Sequence, residues 1–137
     1  MKILIHSSEQ PPIVTYFQEK TQVVHKDEVD FDTLRNQFYD EVICYDYLDY
    51  IDENDISSLI EKLAPQGKLT IKGVDLFETT RAFQEGLITT QELSSKINNR
   101  KLRCFCVNDL AELIQSKNLK VTFAGISGVN YMIEAKK

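Results

Sequence analysis

The sequence is poor in the residues that staple or punctuate a chain: three cysteines, three prolines and five glycines in 137 residues, with no glycine before Gly67. The cysteines, Cys44, Cys104 and Cys106, are odd in number and form no paired framework, which excludes a disulfide-built scaffold. No basic-then-apolar segment follows Met1-Lys2, so a reducing cytoplasm is the expected compartment. There is no internal repeat, low-complexity tract or Pro/Gly/Ser-rich linker, and no run of like charges long enough to make a tail. The motifs that carry common chemistries are missing too. We find no P-loop, no HExxH, no G-x-S-x-G elbow and no CxxC pair. Cys104-x-Cys106 is no metal half-site: one intervening residue would put both thiols on one side of a strand, and no second Cys/His cluster accompanies them, so they read as small hydrophobes and no metal is expected. Basic residues are in deficit, 16 Lys and Arg against 21 Asp and Glu, a net charge of −5 that repels a phosphate backbone. Nucleic acid is not an expected partner, and neither is a membrane.

What remains is a globular composition. The chain is 42% hydrophobic and 27% charged with 7 Phe and 6 Tyr, too apolar for disorder. A chain of this length buries roughly two-thirds of its unfolded surface, enough for one core, and residues 1–137 are expected to form a single domain.

Hydrophobic patterning then gives the elements. Lys2-Ile3-Leu4-Ile5-His6 reads as a buried strand stopped by Ser7, Ser8 and Pro11-Pro12. Residues 13 to 17 fit a strand or a helix equally. Thr21 to His25 reads as a second strand, and Asp27 to Phe38 as a loop with a short helical turn. Glu41-Val42-Ile43-Cys44-Tyr45 is an apolar run suited to a covered strand. Asp52 or Asn54 caps a helix with Ile56, Leu59, Ile60 and Leu63 at helical spacing, and Pro65-Gln66-Gly67 imposes a stop and turn before the strand Lys68 to Lys72. Strand, helix and strand in close succession predict a parallel crossover. Two helices are expected over Leu76 to Glu85 and Thr90 to Ile97, divided by Gly86, with Thr89 or Thr90 capping the second. A further helix, Val107 to Lys117, is expected to start at an Asn108 cap. A closing hairpin pairs Leu119–Phe123 with Tyr131–Ala135 around Gly125-Ile126-Ser127-Gly128.

The stretch Tyr39-Asp40-Glu41-Val42-Ile43-Cys44-Tyr45-Asp46, followed by Leu63-Ala64-Pro65-Gln66-Gly67-Lys68-Leu69, resembles the second half of Rossmann-like, class I S-adenosylmethionine-dependent methyltransferases, which run "FDEV" into "L-x-P-G-G-x-L". The helix from Asp109 and the hairpin ending at Lys136 resemble that family's last helix and reversed final strands, so the likeness covers residues 38–137 in order. It implies an α/β fold: a shortened Rossmann-like methyltransferase sheet, mostly parallel with a C-terminal antiparallel hairpin, and helices on its faces. The first half departs from the family. Cofactor binding there depends on a glycine-rich turn after the first strand, and here that turn is His6-Ser7-Ser8-Glu9-Gln10-Pro11-Pro12. The interval from Ser7 to Tyr39 is also too short for the family's two helices and two strands, so a crossover is lost or compressed.

Two readings follow. In the first, the chain is a degenerate methyltransferase-like domain, a pseudoenzyme that binds no cofactor and serves as a binding or structural module, covered by a second copy of itself or another protein. A domain shortened in this way suits economical genomes such as those of viruses. In the second it is a compact active methyltransferase, with S-adenosylmethionine held by the Ser7 and Ser8 backbone, Asp27 and Asp46. Neither reading assigns a catalytic residue. For Asp27 the plainer reading is a solvated loop, for Asp46 a strand-end cap; His6 and His25 read as structural, and Tyr39, Tyr45, Tyr47 and Tyr50 as core or pocket lining.

Overall fold

The computed structural model describes residues 1–9, 20–98 and 101–137, and the open expectation for residues 13 to 17 lies outside them. Six strands form one sheet: β1 (Lys2–His6), β2 (Thr21–His25), β3 (Tyr39–Tyr45), β4 (Leu63–Val74), β5 (Lys120–Ser127) and β6 (Asn130–Lys136), in the order β2-β1-β3-β4-β6-β5. Pairs β1–β2, β1–β3 and β3–β4 are parallel, and β6 is antiparallel to both its neighbours. The described helices are α1 (Glu53–Glu61), α2 (Leu76–Gln84), α3 (Thr90–Asn98) and α4 (Val107–Ser116). This is the expected shortened α/β sheet, with only β2 described between β1 and β3 in the chain.

Each strand forms where apolar or β-branched residues run together, and alternation then sorts the two faces. Ile3, Ile5, Val42, Cys44, Leu69, Ile71, Ile133 and Ala135 point to one face. There they join Ile56, Leu59 and Ile60 of α1 and Leu110 and Ile114 of α4 in a continuous core. The opposite face carries Leu4, Ile43 and Thr70 in one row and His6, Tyr45, Lys72 and Met132 in the next. At its lower end Glu41 is buried among Lys2 (3.2 Å), Lys68 (3.1 Å) and the Thr70 hydroxyl, which donates at 2.9 Å. Burial pushes the Glu41 pKa up, but these three donors outweigh it and hold the carboxyl below its ordinary value.

Four local expectations are corrected. Pro65-Gln66-Gly67 does not end one element before another begins: it lies inside β4, where the pairing jumps from Tyr39↔Leu63 to Glu41↔Lys68 and Gln66 takes φ 62°. The turn is a bulge, and a Cβ on Gly67 would sit 2.8 Å from the Ala64 carbonyl oxygen. Asn108 is not a cap: α4 starts at Val107, whose N–H donates to Asp75 Oδ2 at 2.8 Å, so a distant carboxylate satisfies the helix end. The hairpin turns later than the glycine cluster suggests, since Ser127 pairs with Asn130 and Gly128, at φ 62°, makes the bend. Cys104 and Cys106 are also not strand neighbours; they sit in the irregular segment before α4 as free thiols.

Candidate functional site: the carboxyl edge of the sheet

The chain leaves β1 for β2 on one side and leaves β3 for β4 on the other, so the carboxyl ends of β1 and β3 flank the point where the winding reverses. In open α/β sheets that point forms a crevice suited to ligands. Ser7 and Ser8 follow β1, and Asp46 follows β3 at φ 53°. The Ser7 hydroxyl donates to Asp46 Oδ2 at 3.4 Å, bringing together two residues that sequence reading singled out. Ser8 folds back on β1, its carbonyl oxygen 3.0 Å and its hydroxyl 3.4 Å from His6 Nδ1. His6 in turn meets His25 edge-to-face at 5.3 Å, a packing role for both rings.

Asp27 stands apart, one strand further out and exposed. Its carboxylate pairs with Lys26 at 3.0 Å, and this hydrogen bond holds its pKa below the ordinary carboxylate value. Asp27 lies in the 3-10 turn Lys26–Glu28 that follows β2. Lys26 also lies 4.7 Å above the Tyr50 ring.

The residue that dominates the edge carries no sequence signal. Lys101 places its ammonium 3.1 Å from Asp46 Oδ1 and 3.1 Å from Asp49 Oδ2, with its side chain 2% exposed and that of Asp49 1% exposed. Burial pushes the Lys101 pKa down, but Asp46 and Asp49 outweigh it and hold the lysine above its ordinary value, fully charged. Burial raises the Asp49 pKa, against the pull of Lys101. Neither Asp49 oxygen has a well-angled hydrogen-bond donor among the described residues, so Lys101 compensates it by charge rather than by a network. The Asp49 backbone carbonyl accepts from Leu102 N–H at 2.8 Å, tying the Lys101 segment down beside the loop after β3.

Of the four tyrosines, Tyr39 and Tyr47 are core residues at 3% exposure. Tyr50 lies beneath Lys26, and Tyr45 lines a cavity of about 360 Å³ on the sheet face opposite α1 and α4. Among the described residues no group of His, Cys, Asp and Glu is arranged to hold a metal ion, and no helix is long and apolar enough to cross a membrane.

No family model and no curated protein matches the sequence. Solved structures do match the fold. A SAM-dependent methyltransferase from Methanosarcina mazei superposes with a TM-score of 0.60 at 10% identity, over 99% of this chain and 92% of that one. A Thermotoga maritima SAM-dependent methyltransferase gives 0.57 at 14%, covering 86% of this chain and 64% of that one. A Haloferax volcanii methyltransferase, solved in complex with a methyltransferase activator protein, gives 0.58 at 10%, covering 85% and 61%. The chain thus spans less than two thirds of the length of two of these three. With its reversed β6 and its crevice between β1 and β3, the chain has the Rossmann-like fold of the class I S-adenosylmethionine-dependent methyltransferases.

Proposed function

We propose that this is a methyltransferase-like domain that does not bind S-adenosylmethionine and works as a binding or structural module. The observation that carries the reading is Lys101. Its buried ammonium takes up both carboxylates at the carboxyl edge, Asp46 and Asp49. A sulfonium cofactor brought into that crevice would place a second cation beside the first, at carboxylates that already share an ammonium. The turn after β1 fits the cofactor no better: it has no glycine, the Ser7 hydroxyl is committed to Asp46, and Glu9 follows with its negative charge. Asp27 is exposed and its carboxylate is already paired with Lys26.

A module of this kind acts through partners. The outermost strand β5 is largely exposed along its length and, among the described residues, has one edge without a neighbouring strand, a surface that another protein or a second copy can cover. The Haloferax volcanii complex supports a protein partner by analogy. The net charge of −5 speaks against nucleic acid, and free cysteines suit a cytoplasmic setting. Calorimetric titration with S-adenosylmethionine and S-adenosylhomocysteine, with the solution mass recorded on the same sample, tests the reading. No heat up to millimolar ligand is expected; micromolar binding would overturn it and restore the compact enzyme, with Ser7, Ser8, Asp27 and Asp46 as the contacts to mutate.

A further inference from the structure

We propose that the cavity on the sheet face opposite α1 and α4 is a binding site for a small planar aromatic carboxylate. This goes beyond the reading above and stands whether or not the cofactor binds. The cavity measures about 360 Å³, within the usual range for small-molecule sites, and its lining comes entirely from strands β3, β4, β6 and β5 and their ends. Its floor is Met132. Its two walls are the rings of Tyr45 and Phe123, 40% and 50% exposed. Contiguous exposed apolar side chains around a concavity mark a binding surface rather than the scattered exposure of an ordinary protein exterior.

The register sets the size of the ligand. Tyr45, Lys72, Met132 and Gly125 are successive partners across four strands. Three strand spacings separate Tyr45 from Gly125, roughly 14 Å between backbones. Phe123 folds its ring along β5 over Gly125, where a Cβ would lie 2.8 Å from Cζ, and so stands in the same row as Met132, Lys72 and Tyr45. The remaining gap above Met132 suits a flat ring system, bounded by two aromatic faces and floored by a polarizable thioether.

The charge of the ligand follows from Lys72. Its carboxylate neighbours are already taken: Asp46 is held by Lys101 at 3.1 Å, and Glu134 by Lys68 at 3.6 Å. Lys72, a half-buried residue lining the cavity, has no side-chain ion pair or hydrogen bond among the described residues. A cation in an apolar wall without an ion pair of its own selects an anion, and a carboxylate on an aromatic ring meets both features.

The probes are 2-naphthoate, its neutral counterpart 2-naphthylmethanol, and cyclohexanecarboxylate, each titrated calorimetrically into the full chain. Naphthoate is expected to bind at least tenfold more tightly than either control. Lys72→Met should abolish the preference of acid over alcohol, Lys72→Arg should restore it, and Lys136→Met, at the far end of the same face, should leave it unchanged; circular dichroism confirms that each variant folds. Equal affinity for acid and alcohol, an unchanged preference in Lys72→Met, or no heat with millimolar naphthoate would overturn the proposal. So would a dimer that Phe123→Ser dissociates and that naphthoate does not affect, because the face would then join two copies of the chain. The S-adenosylmethionine titration reads the crevice between β1 and β3, which meets this cavity at Asp46, and the Lys72 variants read only the cavity, so either proposal can fail alone.

Discussion

Replacing Lys101 by Met removes the charge that compensates two carboxylates while keeping most of the side-chain volume. At an effective dielectric near 20, each contact of 3.1 Å corresponds to about 5 kcal/mol of Coulomb attraction. Burying the ammonium and Asp49 costs several kcal/mol per ion, so the intact triad contributes little net stability. Removing one member is different, because the desolvated Asp49 is left without its cation, and such truncations cost about 3 to 5 kcal/mol. For a chain of this size that is a fall in melting temperature of roughly 10–20 °C. The sign of the pH dependence identifies the cause. The Asp49 pKa is already raised by burial, and losing Lys101 raises it further. A carboxyl whose folded pKa lies above its unfolded value contributes stability in acid that is lost as pH rises through the folded pKa. The deficit of Lys101→Met should therefore be largest at pH 7 and shrink toward pH 4. Urea unfolding at both pH values measures it. A loss below 1 kcal/mol at pH 7, or one that does not change with pH, would show that Lys101 does not lie buried between these acids, and would remove the main support for a crevice closed to cations.

Other substitutions test the frame around this site. Leu59→Ala and Ile43→Ala, on opposite faces of the sheet and at most 2% exposed, should each cost about 2 to 5 kcal/mol in denaturant unfolding; less than 1 kcal/mol would refute the packing. Asp75→Ala removes two helix caps together, since its carboxylate accepts from Glu78 N–H at 2.9 Å in α2 and from Val107 N–H at 2.8 Å in α4, and should cost about 2 to 3 kcal/mol. Asp27→Ala, an exposed change, should stay within about 0.5 kcal/mol. Glu41 acts in the opposite sense to Asp49: its folded pKa is depressed, so its contribution is present above the unfolded value and lost as pH falls through the folded one. Glu41→Gln should accordingly flatten the loss of stability below pH 5 in acid titrations followed by circular dichroism.

The strands were legible because apolar runs such as Val42-Ile43-Cys44 need only local pattern to declare themselves, and their order along the chain was enough to suggest the sheet. Asp52 was legible as a cap for the same reason, lying three residues from the N–H it accepts, that of Asp55. The cap of α4 was not, because Asp75 reaches it across 32 positions and nothing near Asn108 reports that the helix end is already satisfied. The bulge at Pro65-Gln66-Gly67 was misread as a boundary because the same residues serve either purpose, and only the pairing with Tyr39 and Glu41 decides. Asp46 was visible as a strand-end acid, but its partner Lys101 is 55 residues away in a segment without periodicity. The most consequential ion pair in the molecule is therefore one that no window along the sequence contains.

The placement of β6 between β4 and β5 has a consequence for the birth of the protein. While the chain is being synthesised, β1 to β4 can assemble in order, but β4 keeps one flank of its backbone unpaired until residues 130–136 have left the ribosome. The apolar side chains Tyr131, Ile133 and Ala135 arrive at the same moment, so the edge closes and the core fills in one step. Until that step the nascent domain offers an open strand beside an incomplete core, the kind of species that chaperones hold and that pairs with the wrong neighbour. Truncating the chain before residue 130 should for this reason yield aggregate rather than a smaller folded sheet, and slow release from the ribosome should favour chaperone capture.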